Sequence, residues 1–375
     1  MKIGIVCYPT YGGSGVLATE LGKALARKGH EVHFISSSLP VRLDSIGTNI
    51  FFHEVSVLNY PLFEYPPYEL ALISRLIDVV KYEKLDVLHV HYAIPHAFAA
   101  YAAKQILASL GINIPIVTTL HGTDITLVGK DPLYEPAVTY SINQSDAVTA
   151  VSQYLREETY RSFDIKKDIK VIYNFVDFDR FSKKKKDHFK LAIAPEGEKL
   201  IVHTSNFRPV KRVEDVISVF KLIHDKIPSK LLLIGDGPER TRMEQMCRTL
   251  HIADAVRFLG KIEAVEEVLS VADLFLLPSS QESFGLAALE AMACQVPVIS
   301  TDTEGLPEIN LQGETGFMSH VGDVQDMAKN ALYILSDPEI HLKFKQAAYK
   351  QAKNFDLNKI MLEYEEVYES LIVKA

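Results

Sequence analysis

Short apolar runs alternate with longer segments of helical period along the whole chain. Lys2–Cys7 reads as a buried strand, and Gly15–Lys28 as a helix stopped by Gly29, a residue suited to a helix C-cap. Glu31–Ser36 follows as a strand. Val87–His91, Ile116–Leu120 and Ala147–Val151 repeat the short, β-branched or apolar pattern. Helices are predicted between them at Glu69–Glu83, Ala97–Leu110 and Tyr134–Gln144. From Leu200 the pattern restarts. Leu200–Thr204, Lys230–Ile234, Ala255–Phe258, Leu274–Leu277 and Val298–Ser300 read as strands, with helices between them.

Strand–helix alternation of this kind builds parallel sheets. Two successive sets in 375 residues predict an α/β protein of two facing Rossmann-like domains with a cleft between them. The expected divisions are residues 1–170, residues 171–356, and a terminal helix in 357–375. The join falls near Lys170–Phe181. The last helix, Leu357–Val373, is amphipathic and is available to pack back on the first domain.

Composition narrows the function. The chain is 47% hydrophobic and 23% charged, as for a globular enzyme. Its net charge of -8, from 40 basic and 48 acidic residues, argues against nucleic acid as a partner. An anionic ligand must therefore be met by a local cluster of cations. Cys7, Cys247 and Cys294 are far apart, without a C-x-x-C pair, and read as reduced, buried thiols in a cytoplasmic protein. No apolar run is long enough to insert into a membrane, and the chain enters its first strand without a signal peptide. Lys183–Lys186 reads as a solvated basic run. A homo-oligomer is compatible with the sequence.

The chemistry gathers at strand ends. Gln281–Glu290, Q-E-S-F-G-L-A-A-L-E, follows an apolar strand and opens a helix. Ser283, Phe284 and Gly285 stand at the turn, so free N–H groups of the first helical turn can bind an anion. Glu282 and Glu290 flank that position as hydroxyl acceptors. Asn206-Phe-Arg-Pro-Val-Lys-Arg212 supplies local cations, with Arg208 and Lys211 spaced to reach one diphosphate. Gly12-Gly-Ser-Gly15 can bring backbone close to a ligand. It is not a full G-x-G-x-x-G, and Ser36-Ser-Ser38 stands where a dinucleotide-binding acid is expected, which argues against a nicotinamide dehydrogenase. Gly235-Asp-Gly-Pro-Glu239 and Phe258-Leu-Gly-Lys261 are further loops at strand ends. His121 closes T-T-L-H-G-T-D at another. His89, His91 and His96 lack an accompanying carboxylate set, so no metal site is assigned. Asp177-Phe-Asp179 imitates a metal-binding D-x-D but lies in the interdomain stretch and reads as a turn.

Taken together, Gly12–Gly15, His121-Gly-Thr-Asp124, Arg208 with Lys211, and the E-x7-E spacing from Glu282 to Glu290 resemble the retaining glycosyltransferases of family 4, over nearly the whole chain. The resemblance implies the GT-B fold and no cofactor or metal. C-Y-P-T-Y-G-G-S-G-V-L-A-T-E-L-G and H-V-H-Y-A-I-P-H look like those members that open bacillithiol biosynthesis. That likeness implies transfer of N-acetylglucosamine from UDP-N-acetylglucosamine to the hydroxyl of L-malate. It further implies that Arg208 and Lys211 hold the diphosphate, that Glu290 binds the ribose and that Glu282 binds the sugar. Backbone of Phe284, Gly285 and Leu286 would touch sugar and phosphate, His121 would lie near the transferred sugar, and Gly15 would approach the phosphates. For the acceptor, Ser14, Tyr92, Thr119, Thr123 and Arg156 are candidates by position, none set by spacing.

Other functions stay open at this level. They are a UDP-N-acetylglucosamine 2-epimerase, a sugar-nucleotide sensor, and a family 4 enzyme with a lipid or sugar acceptor. A lipid acceptor calls for an apolar, basic face. Leu58–Tyr68 is the one such apolar stretch and carries neither Lys nor Arg.

Overall fold

The computed structural model describes residues 1–10, 12–43, 47–57, 65–183 and 187–373. Most of the Leu58–Tyr68 stretch (58–64), three lysines of the basic run (184–186) and Tyr11 lie outside the described residues. The chain forms two compact units, Met1–Asn174 with Leu357–Ala375, and Phe175–Asp356.

The first unit holds a seven-stranded sheet. Its strands are β1 (Lys2–Val6), β2 (Glu31–Ser36), β3 (Ile50–Glu54), β4 (Val87–His91), β5 (Ile116–Leu120), β6 (Ala147–Ala150) and β7 (Ile169–Val171), in the order β3-β2-β1-β4-β5-β6-β7. Every pair is parallel. β4 and β5 are buried at every position, which is why they read as uninterrupted strands in the sequence. One face of β1, β2, β4 and β5 packs on helices Tyr68–Glu83 and Phe98–Ser109 through Leu72, Leu76, Ala99, Ala103 and Leu107. The C-terminal helix Leu357–Ile372 belongs to this unit, where Glu365 meets Lys28 at 2.5 Å and His30 at 2.8 Å.

The second unit holds a six-stranded parallel sheet: β8 (Lys199–Thr204), β9 (Ser229–Ile234), β10 (Val256–Gly260), β11 (Leu274–Leu277), β12 (Val298–Thr301) and β13 (Gly316–Ser319), in the order β10-β9-β8-β11-β12-β13. Phe220, Ile223, Leu231 and Leu233 anchor its core.

β3, β7 and β13 escaped the sequence reading. β3 is an edge strand with a half-open pattern, β7 has three residues, and β13 begins at a glycine, so none carries a clear period. The first helix starts at Gly13 rather than Gly15, placing Ser14 and Gly15 inside its first turn. No helix among the described residues is long and apolar enough to cross a membrane.

Candidate active site

In doubly wound sheets ligands bind at the carboxyl ends of the strands where the strand order reverses. That point lies between β1 and β4 in the first unit and between β8 and β11 in the second. At both points side chains from the two loops are bonded to each other.

In the first unit, Ser14 Oγ lies 2.6 Å from Tyr92 Oη. Ser14 stands in the first turn of helix Gly13–Arg27, and Tyr92 directly follows β4 with a φ of 83°. A side chain on Gly15 would put its Cβ 2.5 Å from the Tyr8 carbonyl oxygen. The glycine is thus required first for the helix to pack on its own incoming loop. Burial pushes the Tyr92 hydroxyl up to about 12, and the neighbouring Ser14 and Thr123 side chains oppose that shift. The His121 ring lies 5.1 Å from the Tyr92 ring, and its Nε2 lies 2.8 Å from His91 Nδ1. Burial lowers His121 to about 3, so the imidazole is neutral at physiological pH. Asp124 holds the loops together: its carboxylate accepts from the N–H groups of Ala93 at 2.9 Å, Gly122 at 3.1 Å and His121 at 3.3 Å. Burial raises that carboxyl to about 6 against these three bonds.

Ser14, Gly15, Tyr92, His121 and Thr123 therefore come together. Thr119 and Arg156 do not join them. Thr119 lies within β5, its hydroxyl held between His89 Nε2 and Thr149 Oγ1, each at 2.7 Å. It is buried, with no surface for an acceptor. Arg156, on helix Gln153–Ser162, lies 3.8 Å from Asp168 and against the Tyr160 ring.

In the second unit, Lys211 Nζ meets Glu282 Oε2 at 2.5 Å. Lys211 ends the turn Pro209–Lys211 after β8, and Glu282 lies in the loop after β11. The two loops are also joined by the Ser280 N–H donating to the Val210 carbonyl at 2.8 Å. Arg208 is exposed at the N-cap of that turn, and its guanidinium has no carboxylate partner among the described residues. In an acidic protein, an unneutralised guanidinium beside a paired lysine favours an anionic ligand. The loop is braced from beneath. His203 Nδ1 donates to the Leu276 carbonyl at 2.8 Å, so its Nε2 accepts from Ser205 Oγ at 2.8 Å, and Ser205 Oγ accepts from the Phe207 N–H.

Helix Leu286–Ala293 opens beside this pair. Gly285 takes a φ of 96°, and a Cβ there would lie 2.6 Å from Leu306 Cδ2. The N–H groups of Gly285 and Leu286 have no acceptor among the described residues, as expected of a helix start. Phe284 is buried against Phe355. Glu290 is buried in the second turn, whereas Glu282 is turned to Lys211. Sequence reasoning did not find Glu304, whose carboxylate accepts from the Glu282 N–H at 2.6 Å, or the His203–Ser205 brace. Glu304 is signalled only by its place after a strand, in T-D-T-E-G.

Two metal-like features resolve differently. Asp177 Oδ1 accepts from the Asp179 N–H at 2.9 Å, so the D-x-D sequence is spent on its own turn. His33, His53 and Glu83 form a group of ligand composition on the β2–β3 side of the first unit. However, His33 Nδ1 and His53 Nε2 share a 2.9 Å hydrogen bond, with ring planes 16° apart and centroids 5.2 Å apart. Rings set nearly end to end in this way aim the N–H of one at the lone pair of the other, not both lone pairs at a common centre.

Residues 11–180 match the model of Glycosyltransferase Family 4, and residues 183–351 match that of Glycosyl transferases group 1. The chain is 50% identical to the N-acetyl-alpha-D-glucosaminyl L-malate synthase of Bacillus anthracis over 370 residues, covering 98% of this chain and 96% of that one. The chain belongs to the family 4 glycosyltransferases. As a family member it is also 34% identical over 147 residues to the 2-deoxystreptamine N-acetyl-D-glucosaminyltransferase of Niallia circulans, covering 38% of each chain. The GT-B fold of this glycosyltransferase is shared with sucrose-phosphate synthase of Thermosynechococcus elongatus, with a TM-score of 0.83 at 20% identity over the full length of both chains. It is shared too with HepE of Anabaena, solved with UDP and glucose, with a TM-score of 0.82 at 19% identity over 99% of this chain and 100% of that one.

Proposed function

We propose that this glycosyltransferase moves N-acetylglucosamine from UDP-N-acetylglucosamine to the hydroxyl of L-malate with retention, the opening step of bacillithiol biosynthesis. The observation that carries the proposal is the 50% identity to the Bacillus anthracis synthase across 98% of the chain. The second unit's site has the chemistry a nucleotide sugar needs. Arg208 and Lys211 meet the diphosphate, and the amides of Phe284, Gly285 and Leu286 meet phosphate and sugar. Glu290 accepts from the ribose and Glu282 from the sugar. In the first unit, the helix start containing Gly15 approaches the phosphates, His121 contacts the transferred sugar, and Ser14, Tyr92 and Thr123 supply hydroxyls for a dicarboxylate.

In the transfer, the bond from the anomeric carbon to the donor phosphate oxygen breaks and the malate hydroxyl oxygen takes its place on the same face. The hydroxyl proton passes to a donor phosphate oxygen, and UDP leaves. Charge builds on that diphosphate, and fixed cations that stabilise it lower the barrier. Cys7, Cys247 and Cys294 are buried and form no disulfide, which suits a reducing compartment, and we place the enzyme in the cytoplasm.

The test is incubation with UDP-N-acetylglucosamine and a panel of hydroxy acids, with products identified by mass. A site built for two carboxylates rejects L-lactate and glycerol, by up to about ten-thousand-fold if its donors are fully desolvated. Comparable rates with lactate, or product only with a lipid or sugar, would remove the malate assignment.

A further inference from the structure

The neutral imidazoles of the first unit are organised by tautomer. On β4, His89 and His91 share a face, which Thr119 of β5 and then His121 continue. The C-terminal helix covers this face, with Tyr368 Oη 2.7 Å from His89 Nδ1. His89 and His91 stack at 4.5 Å, and His91 and His121 lie at 5.0 Å. A neutral imidazole has one donor and one acceptor nitrogen, so each contact constrains the next.

His91 is the informative member. The residue is 2% exposed, its Nδ1 faces His121 Nε2 at 2.8 Å, and its Nε2 is buried with no partner among the described residues. Two arrangements satisfy the 2.8 Å bond. In one, His91 carries its proton on Nε2, leaving a buried N–H orphaned. In the other, His91 carries it on Nδ1 and donates to His121, leaving only a bare lone pair buried. Among backbone groups an orphaned buried N–H is rarer than an unfilled acceptor, and we take the imidazole to follow the same preference. The second arrangement therefore prevails, and it forces His121 to carry its own proton on Nδ1. No hydrogen bond from a described residue reaches that Nδ1.

We propose that His91 is a positioning residue that sets the tautomer of His121, so that His121 presents an N–H donor at Nδ1 to a hydroxyl of the transferred sugar. The proposal rests on the reading of His121 as a sugar contact. His91 touches no substrate; it acts through His121. Without it, His121 Nε2 loses its donor and the proton is free to move there, turning the sugar-facing nitrogen into an acceptor.

The test combines nitrogen NMR and kinetics on the full-length protein. Long-range proton–nitrogen correlation of 15N-histidine-labelled enzyme, assigned by loss of signals in His121→Asn, reports which His121 nitrogen is protonated. We expect Nδ1–H in the parent. In His91→Asn the side-chain amide places an N–H near the position of Nδ1, so the tautomer is retained and turnover stays within a few-fold. In His91→Leu we expect His121 to show Nε2–H character and kcat to fall on the order of tenfold, the scale of one hydrogen bond, with KM for UDP-N-acetylglucosamine little changed. A parent enzyme with His121 protonated on Nε2 would overturn the proposal, as would equal losses in the Asn and Leu variants. If the Leu variant does not fold, the parent spectrum and the Asn variant still decide. His121→Ala with full transfer activity would instead remove the sugar-contact reading while leaving the tautomer assignment standing.

Discussion

Lys211 and Glu282 form a 2.5 Å ion pair between two loops that leave neighbouring strands at the reversal of strand order in the second unit. The pair is 71 residues apart in sequence, and it gives the ammonium a fixed position beside the helix start at Gly285. Lys211→Ala is expected to lower turnover about a hundred- to a thousand-fold, the usual effect of removing one electrostatic contact to a developing charge. Both side chains retain some exposure, so the loss of folding stability is expected to be about 1 kcal/mol or less. Steady-state kinetics beside a denaturation curve checks this, and near-parental turnover with UDP still bound would end the assigned role.

The two glutamates of the E-x7-E spacing are expected to separate. Glu290 is buried in its helix, and Glu282 holds Lys211. Glu290→Gln should weaken UDP binding ten- to hundred-fold, since a hydrogen bond to a charged group is worth about 1.5–3 kcal/mol. Glu282→Ala should mainly lower transfer. Calorimetry with UDP distinguishes them; parental affinity in Glu290→Gln would refute the ribose assignment.

Chelation is expected to leave activity intact. Asp177 and Asp179 are engaged in a turn, and in the proposed donor site Arg208 and Lys211 are the cations assigned to the diphosphate charge. Activity lost in EDTA and restored by magnesium or manganese would contradict this.

Stability is expected to fall as the pH drops below about 6.5, the value of these groups in the unfolded chain. Burial holds His89 at about 3, and His96 and His203 at about 4, and all three are fully buried. Between those values and 6.5 the unfolded chain binds a proton that the native state refuses, so stability rises with pH across that window. Each histidine contributes a slope of at most about 1.4 kcal/mol per pH unit. Asp124 acts in the opposite sense between 3.8 and about 6, because its raised value makes the native state the better proton binder, and it offsets part of the slope. Denaturant midpoints measured at pH 7, 6 and 5 should decline together with pH; a flat series would show that these imidazoles are not held neutral.

The sequence by itself determined the class of the protein. Buried parallel strands leave near-continuous apolar runs, so β4, β5, β9 and β11 were legible locally. So were the chemical types at strand ends, because a helix start, a glycine turn and a paired Arg208 and Lys211 are short-range patterns. What only the tertiary structure decided was which of them meet. Ser14 and Tyr92 lie 78 residues apart, and His91 and His121 lie 30 apart; no spacing rule joins either pair. Thr119 shows the same limit from the other side. It sits two residues from His121 and looked equally available, yet it is buried within the strand while His121 lies beyond its end. Strand periodicity tells that two residues share a face, but whether that face is open or covered depends on what packs there. Here a helix from the far end of the chain covers it, with Tyr368 on His89.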